Sequence, residues 1–374
     1  MINRNRPRSP ATASARAALA ADDGTSTYER PRRRMPVKVV LLIGLLLVLI
    51  VTVLGGLLLW GRVSAFNGTI STASAASSAL WGSLGGEERV NVALFGYGGE
   101  EHKGGNYLAD SIQIMSIDPV AETTTIIPIP RDFWVEGITE MPDNGKINEA
   151  FAIGHARGGI EEAGRFTTEV LSRVTGLQID HWMAIDFAGF RDMIDAIGGV
   201  TVNNPRAFRY TWSEHRYLRG RFNDGRFARG TIELNGEQAL SYARARYTNK
   251  PSESSDFARS VRQQRVLTAL RVKVGEGGLG SIGPGLALMD ALEGRMRTDL
   301  SAIDLFLLSG HLEPDHRIEL EEGVILEATT STIGQYILVV IGREHSADYG
   351  PLQRFLAEEL AKPIPTASPT PSPS

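Results

Sequence analysis

Residues 244–271 carry six arginines in a chain whose formal net charge is −4, and this clustering is the most distinctive chemical feature of the sequence. Two of them, Arg244 and Arg246, would point to one side of an extended backbone, because side chains alternate along a strand. Guanidinium groups held close together repel one another unless an anion lies between them, and their planar forks match the oxygens of phosphate or pyrophosphate. The cluster therefore predicts a binding site for a phosphate-containing anion.

The second part of the cluster has helical spacing. Arg259, Arg262 and Gln263 are i, i+3 and i+4 neighbours, which share one face of a helix. A solvated helix surface crossed by ion pairs is the simpler interpretation of such a stretch. Two features favour an anion site instead: few acidic residues lie beside Arg244 and Arg246 in the sequence, and Gln263 places an uncharged hydrogen-bonding group among the cations.

Other polar residues lie at the ends of predicted strands. Arg131 and Asp132 come directly after the strand predicted at 123–129, and strand ends are where ligands tend to bind in α/β folds. Asp110 opens the preceding strand, so it lies near Arg131 if the two strands pair as a hairpin. Lys146 follows in a loop, where it would contact an anion, cap the next helix or remain solvated; the sequence leaves these alternatives open.

Several common chemistries have no motif in this sequence. The absence of cysteine excludes disulfides, thiolate metal sites and a cysteine nucleophile. The seven histidines show no HExxH or paired spacing, so a zinc site has little support. Gly96–Gly99 is not followed by the Gly-Lys-Ser/Thr of a P-loop, and no GxSxG elbow is present. The negative net charge disfavours nucleic acid as a partner.

Alternating strands and helices must position these side chains. The patterns predict strands at 90–95, 110–117, 123–129, 182–185 and 200–202, and helices at 161–174, 187–197, 236–242, 256–274, 286–292 and 301–308. Gly176 is a plausible C-terminal stop and Asn235 a plausible N-cap. The interleaving predicts an α/β or α+β fold of the αβα sandwich kind, in which helices flank a mixed central β-sheet.

An apolar run precedes the folded region. Val39–Trp60 is almost without polar residues, and as a helix it would rise roughly 30 Å, enough to cross a bilayer. Basic residues are concentrated before it, whereas only Arg62 follows closely, so the positive-inside rule places the N-terminus in the cytoplasm and the rest outside. A cleaved signal peptide is disfavoured, because the run exceeds the usual apolar length of such peptides. We therefore expect one transmembrane helix and a location in the cell membrane.

Six short motifs follow one another in a specific order. They are Ala109-Asp110-Ser111, Ile129-Pro130-Arg131-Asp132, Lys146-Ile147-Asn148, Asp186–Phe190 with Gly198-Gly199-Val200, Leu234–Leu240 leading into Tyr242–Arg246, and Asp256–Gln264. Together they resemble the LytR–CpsA–Psr family of cell-envelope glycopolymer transferases. Each motif alone is weak, but six in the family's order make a specific pattern that covers nearly all of residues 90–360.

The resemblance implies an enzyme that transfers an anionic glycopolymer, such as a teichoic acid or capsule chain, from a polyprenyl-pyrophosphate carrier to peptidoglycan. A phosphodiester bond forms and the lipid phosphate leaves. The implied pyrophosphate-binding residues are Arg131, Arg244, Arg246, Arg259, Arg262 and Gln263. With Arg131, the implied catalytic residues are Asp110 and Asp256, which would hold Mg²⁺ as the cofactor; a carboxylate there could instead accept the proton of the attacking hydroxyl. The implied partners are the lipid-linked polymer, peptidoglycan and membrane lipid.

The resemblance also organises the chain into segments. We expect a disordered basic cytoplasmic tail over residues 1–38, the transmembrane helix over 39–60, a Ser/Ala/Gly-rich spacer over 61–87, an extracytoplasmic domain over 88–360 and a Pro/Ser/Thr-rich disordered tail over 361–374. Within the domain, the catalytic core would cover about 90–275 and a C-terminal part about 276–360. Residues 247–255 look like a flexible loop that would cover the site.

One loop departs from the family pattern. Many members carry an aspartate after the first strand, in a Gly-x-Asp pattern, whereas Gly98 stands at that position here. Glu100, Glu101 or His102 could compensate, although none occupies the matching position. Metal binding is therefore less firmly implied than phosphate binding. The departure keeps open a second function, a non-catalytic binder of polyprenyl-phosphate lipid or cell-wall glycan. A transcriptional regulator is disfavoured, because the short basic N-terminus lacks a helix-turn-helix pattern.

Overall fold

A computed structural model describes residues 37–71, 79–84, 86–102, 107–138, 141, 144–209, 225–246, 248–276, 282–311 and 314–363. The chain divides into two units, Met1–Leu58 and Leu59–Ser374. Residues 1–36 of the predicted basic tail and residues 364–374 of the predicted C-terminal tail lie outside the described residues. Among the described helices, none is long and apolar enough to cross a membrane, so the transmembrane helix stays a prediction.

Nine α-helices and fourteen strands make up the described part of the chain. The helices are α1 (Val37–Ile70), α2 (Ala79–Leu84), α3 (Glu149–Thr175), α4 (Phe187–Ala196), α5 (Gly236–Arg244), α6 (Asp256–Glu276), α7 (Ile282–Leu292), α8 (Ala302–Ser309) and α9 (Gly350–Ala361). The strands are β1 (Val90–Tyr97), β2 (Ala109–Asp118), β3 (Thr123–Pro128), β4 (Trp134–Val135), β5 (Gly145–Lys146), β6 (His181–Asp186), β7 (Val200–Asn204), β8 (Phe208–Arg209), β9 (Arg226–Phe227), β10 (Gly230–Leu234), β11 (Met296–Thr298), β12 (His316–Arg317), β13 (Leu326–Thr330) and β14 (Tyr336–Val340).

The central sheet has six strands in the order β11-β6-β1-β2-β3-β12. β1 pairs with β6 and β3 with β12 in parallel, whereas the other neighbours are antiparallel. The predicted mixed sheet is therefore confirmed, and so is the hairpin of β2 and β3. Because β2 runs opposite to β1 and β3, the first residues of β2 lie at the same end of the sheet as the last residues of β1 and β3.

Helices cover both faces of this sheet. Alternate residues of β1 enter different cores: Phe95 packs with buried residues of α3 and α9, and Val92 packs with Leu80 of α2 and Leu308 of α8. This alternation follows the period of two that places successive strand residues on opposite faces. The αβα arrangement predicted from the interleaving of elements is thus confirmed.

A third core lies beside the sheet and holds the elements that carry the arginine cluster. It contains buried residues of α4, α5, α6, β7 and β10, with Tyr242 of α5 fully buried at its centre. α5 begins at a capping box, in which Asn235 accepts from the Gln238 amide at 2.9 Å and Gln238 accepts from the Asn235 amide at 3.0 Å. Such a box satisfies two otherwise unpaired helix N–H groups, which confirms Asn235 as the N-cap.

Helix α3 is longer than the sequence indicated. The predicted helix began at residue 161, whereas α3 begins at Glu149 and bends where Gly158 and Gly159 leave helical geometry. The sequence did not predict the part of α3 before these two glycines, because they interrupt the hydrophobic periodicity. At the other end Gly176 has φ 72°, as predicted for a left-handed C-terminal stop.

The predicted spacer also contains helix. In its described part, α1 continues to Ile70 and α2 forms at Ala79–Leu84. Leu80 and Ile70 are fully buried. Burial of these two apolar side chains explains why the segment is not simply a flexible linker. The composition of the segment, rich in small residues, did not indicate that these two side chains would be buried.

Replacement of Gly164 by alanine should destabilise the fold. A Cβ atom at this position in α3 would overlap the indole ring of Trp182 in β6, and overpacking of this kind costs about 1–3 kcal/mol. Urea unfolding followed by circular dichroism measures the change. Gly285→Ala in α7 is the matched control, because a Cβ there meets nothing within 4 Å and alanine favours the helix. Equal midpoints for the two variants would contradict the predicted packing.

Candidate functional site

The hairpin of β2 and β3 brings Asp110 and Arg131 together, as predicted from the pairing of the two strands. Arg131 Nη1 donates to Asp110 Oδ1 at 2.5 Å, and Arg244 Nη2 donates to Asp110 Oδ2 at 3.3 Å. The side chains of Arg131, Arg244 and Asp110 are each about one-fifth to one-quarter exposed. The carboxylate is therefore shared by two guanidinium groups that come from distant parts of the sequence.

A second carboxylate sits beside the first. Asp132, nearly buried, accepts from Lys146 Nζ at 2.6 Å and from Arg246 Nη2 at 3.4 Å. Lys146 is therefore ion-paired, which resolves the alternatives that the sequence left open. Asn148, the residue before α3, makes no side-chain cap. Tertiary structure thus supplies the acidic partners that the sequence beside Arg244 and Arg246 lacks.

The two arginines do not belong to a strand. Arg244 is the last residue of α5, and Ala245 after it has an extended backbone, with φ −53° and ψ 125°. The expectation of an extended segment is therefore wrong for Arg244. The end of α5 nevertheless directs Arg244 to Asp110 and Arg246 to Asp132, because the chain turns at Ala245.

The residues of α6 divide between the site and the interior. Arg259 and Gln263, four residues apart, both line a cavity next to Asp110. Gln263 Oε1 accepts from Ser111 Oγ at 3.0 Å and from Gln113 Nε2 at 3.2 Å, which ties α6 to β2 and leaves Gln263 Nε2 as a donor for a ligand.

Arg262 faces the other way and does not line the cavity. Its side chain is fully buried, and its guanidinium donates to the Tyr242 carbonyl at 2.9 Å, the Glu253 carbonyl at 3.0 Å, Glu253 Oε2 at 2.9 Å and the Ala245 carbonyl. Its predicted place among the pyrophosphate ligands is therefore wrong for this arrangement. Arg262 instead connects α6 to the segment that carries Arg244 and Arg246.

The segment after Arg246 is structured around the same contact. Pro251–Glu253 forms a short 3₁₀ helix, and Glu253 is buried against Arg262. Ser254 and Ser255 line the cavity. The loop predicted here therefore contributes to the cavity, but a buried ion pair holds Glu253 in place, which differs from the flexible loop expected. Tyr247 lies outside the described residues.

The cavity has a volume of about 530 Å³ and a lining of mixed character. Predicted site residues contribute Asp110, Arg246, Arg259 and Gln263 to it. The lining also contains glutamates and an aromatic ring that the sequence did not single out, and these are Glu319, Glu321, Glu322 and Tyr336. Its apolar residues include Ile112, Ile129 and Leu338.

Positive charge dominates the basic side of the site. Five cationic side chains (Arg131, Lys146, Arg244, Arg246 and Arg259) lie close to Asp110 and Asp132. Burial alone would raise the pKa of Asp110, but the arginines at 244, 131 and 259 together hold it below its usual value. Asp110 is therefore ionised at neutral pH, and guanidinium groups gathered in this way suit the oxygens of a diphosphate.

Phe187 is a further site residue that spacing alone did not reveal. The Arg244 guanidinium lies 4.1 Å from the centre of the Phe187 ring, in the geometry of a cation–π contact. Phe187 begins α4 directly after β6. It therefore lies at the same end of the sheet as Asp110 and Arg131. In the sequence, the one indication of this role is that Phe187 is an aromatic residue directly after a predicted strand.

The predicted magnesium ligands are only partly described. Asp110 lines the cavity, but both of its oxygens contact arginines. Asp256 begins α6, and its side chain lies outside the described residues. Within the described residues there is no group of three or more His, Asp or Glu side chains placed to hold a metal. Because Mg²⁺ is commonly held by one or two carboxylates with water and substrate phosphate, Asp110 suits one ligand position, and the ion stays a prediction.

Comparison with known families gives one match that covers most of the chain. The LytR_cpsA_psr family model matches residues 65–341. A polyisoprenyl-teichoic acid–peptidoglycan teichoic acid transferase, TagU of Enterococcus faecalis, is 28% identical over 268 residues, which cover 71% of this chain and 80% of that protein. A second transferase of that name, TagV of Bacillus subtilis, is 30% identical over 243 residues, which cover 63% of this chain and 58% of that protein.

Solved structures show the same fold. The crystal structure of B. subtilis TagV aligns with a TM-score of 0.53 and 22% identity, covering 74% of this chain and 98% of TagV. A structure of TagT bound to LI-WTA aligns with a TM-score of 0.51 and 20% identity, covering 73% of this chain and 89% of TagT. At these identities the likeness shows the mixed sheet flanked by helices.

Proposed function

Since this chain belongs to the LytR–CpsA–Psr family, we propose that it is a phosphotransferase that attaches an anionic glycopolymer to peptidoglycan. The donor is a teichoic acid, capsule or similar polymer on a polyprenyl-pyrophosphate carrier, and the product contains a phosphodiester bond. The observation that carries this proposal is the convergence of three arginines and Lys146 on Asp110 and Asp132, beside the cavity that Arg259 also lines. The names of the related transferases support it.

The chemistry of the site suits such a donor. Arg246, Arg259 and Gln263 line the cavity, and Arg131 and Arg244 lie behind Asp110, so a diphosphate in the cavity would meet donors from several elements. Ile112, Ile129 and Leu338 offer apolar contacts for the first isoprene units of the carrier. Phosphate and apolar chain can thus be accommodated by one continuous cavity.

In the reaction, an acceptor hydroxyl attacks the phosphorus that bears the polymer, and the bond from that phosphorus to the lipid phosphate breaks. Catalysis of phosphoryl transfer depends mainly on positioning and on stabilisation of charge at the phosphate oxygens. Arg246 and Arg259 hold the non-bridging oxygens, while Arg131 and Arg244 stabilise the negative charge of the departing polyprenyl phosphate. Gln263 Nε2 orients the donor without adding charge.

Two further features belong to this proposal. Mg²⁺ at Asp110 and Asp256 would supply additional charge neutralisation at the diphosphate. A membrane helix at Val39–Trp60, with the N-terminus in the cytoplasm, would keep the domain outside the cell beside its lipid-linked donor and peptidoglycan. The apolar run and the excess of basic residues before it support this location.

A reconstituted transfer assay tests the function. The full-length protein in detergent micelles with Mg²⁺ receives a synthetic polyprenyl-pyrophosphate disaccharide and a peptidoglycan oligosaccharide. We expect a phosphodiester-linked product by mass spectrometry and one polyprenyl phosphate for each bond formed. Retention of the lipid donor on the protein without product, at any Mg²⁺ concentration, would instead support the non-catalytic binder.

A further inference from the structure

Glu319 comes two residues after the end of β12 in the central sheet. β12 pairs in parallel with β3, and Arg317 lies opposite Ile126. Because parallel strands run in the same direction, the residues after β12 lie at the same end of the sheet as the residues after β3. That end also carries Asp110 and Arg131, and Glu319 lines the cavity there.

A hydrogen bond fixes the orientation of the Glu319 carboxylate. Ile318 and Leu320 on either side belong to the hydrophobic core, whereas the Glu319 side chain is 17% exposed. Arg317 lies on the same side of the extended chain as Glu319, and its Nε donates to Glu319 Oε1. Arg317 Nη2 also donates to Ser260 Oγ of α6, which lines the cavity as well. Arg317 therefore holds the carboxylate against the helix that contributes Arg259 and Gln263 to the cavity.

The second oxygen of this carboxylate can accept from a substrate. Among the described residues, no hydrogen bond reaches Glu319 Oε2. Glu321, Glu322 and Tyr336 line the same cavity and are exposed, so this part of the lining is open to solvent. A polymeric acceptor can reach Glu319 from the open part, while the arginines of the same lining hold the diphosphate.

We propose that Glu319 is the general base of the transfer reaction, an assignment that rests on the proposed function. Oε2 of Glu319 accepts the proton of the acceptor sugar hydroxyl as the hydroxyl oxygen forms a bond to the polymer-bearing phosphorus. The bond from this phosphorus to the bridging oxygen breaks, and that oxygen leaves with the electron pair as polyprenyl phosphate. The protonated carboxyl group then releases its proton to water, which restores the site.

The other described carboxylates of the cavity have different surroundings. Both oxygens of Asp110 accept from arginines, and these charges hold its pKa below the usual value, so it is the weaker base. Glu321 and Glu322 are exposed, and within the described part of the chain no hydrogen bond or ion pair orients their side chains. A general base must be held within reach of the proton that it removes, and Glu319 meets this requirement.

The charges that face Glu319 define a pH dependence. Burial raises the pKa of Glu319 above its ordinary value, although the hydrogen bond and positive charge of Arg317 lower it, and the negative charge of Glu321 raises it further. The other charged residues that line the cavity are Asp110, Arg246, Arg259 and Glu322. A raised pKa makes the carboxylate a stronger base than an ordinary glutamate, but it acts only when ionised. Transfer should therefore be lost as the pH falls through this raised pKa.

The test compares Glu319→Gln with the wild-type protein in the transfer assay. Glutamine keeps an acceptor for Arg317 but cannot take the proton, so kcat should fall by about 10²–10⁴-fold, the usual contribution of a general base. The acidic limb of the pH–kcat profile should disappear, and added formate should partly restore the rate of Glu319→Ala. Binding of inorganic pyrophosphate, measured by calorimetry, should be as tight as in the wild type or tighter, because a negative charge has been removed. Glu327→Gln, at an exposed position of β13, is the matched control and should retain wild-type kinetics.

Glu319→Asp gives a second variant in which the carboxylate remains but is drawn back by one methylene. Its kcat should fall by about 10²-fold, the cost of displacing a reacting group by roughly 1 Å, while the acidic limb persists. Wild-type kcat and an unchanged limb in Glu319→Gln would overturn the assignment and leave the transferase function intact. Loss of pyrophosphate binding in both Glu319→Gln and Glu319→Ala would also overturn it, because it would indicate a structural role. Absence of transfer by the wild-type protein would refute the function itself.

Discussion

Replacing Arg244 by alanine should lower the transfer rate by about 10²–10³-fold, the cost of removing one preorganised donor from a charge-stabilising site. Arg244 contacts Asp110 at 3.3 Å and stacks on Phe187, so its loss removes positive charge and also leaves Asp110 with less compensation. The effect should appear mainly in kcat, because charge on the departing lipid phosphate increases in the transition state. The assay with the disaccharide donor measures kcat and KM separately.

Arg131→Ala should give a loss of similar size, since Arg131 donates to the same carboxylate at 2.5 Å. Arg165→Ala provides the control, because this arginine is 58% exposed on α3 and pairs with the glutamates at 162 and 169 of the same helix. It should have wild-type kinetics. Full transfer activity in both Arg131→Ala and Arg244→Ala would exclude the proposed site.

Replacing Arg262 by methionine should destabilise the protein by about 3–5 kcal/mol, because breaking a buried ion pair leaves an uncompensated charge. Glu253, 3% exposed, would lose this partner, and the carbonyls of Tyr242 and Ala245 would lose their donor. Glu253 keeps one contact with the exposed Arg206 at 3.1 Å, which places the cost toward the lower end of the range. Chemical unfolding of the purified protein, followed by circular dichroism, measures this change.

Two further variants separate charge from packing at this position. The double variant Arg262→Met with Glu253→Gln removes both charges and should recover part of the lost stability. Arg165→Ala again serves as the control, because exposed ion pairs contribute about 0–1 kcal/mol. A stability loss for Arg262→Met no greater than that of Arg165→Ala would contradict the role of Arg262 as a buried connection.

Much of the fold was predictable because its signals are local. β1, β2 and β3 follow from short, largely apolar runs bounded by turn residues, and the pairing of β2 with β3 follows from the short connection between them. That pairing was enough to place Asp110 beside Arg131, a contact 21 residues apart in sequence. The helix ends at Asn235 and Gly176 were predictable for the same reason, since capping chemistry depends on a few adjacent residues.

The remaining parts of the site depend on distant contacts. Arg259, Arg262 and Gln263 appear equivalent by spacing, but one residue of helix turns a side chain by about 100°, which separates the buried Arg262 from Gln263 at the cavity. Sequence spacing cannot identify the inward side of a helix that has polar residues all round. The pairing of Lys146 with Asp132 and the stacking of Arg244 on Phe187 likewise arise only once the sheet and α4 are assembled.

The grouping of cationic side chains around Asp110 and Asp132 links folding to ligand binding. An anion that binds these side chains only in the folded chain stabilises the native state. By mass action, a ligand at about 100 times its dissociation constant contributes about 2.7 kcal/mol to the stability of the folded state. The supply of lipid-linked donor in the envelope would then govern how long each copy of the protein survives, as well as how fast it works.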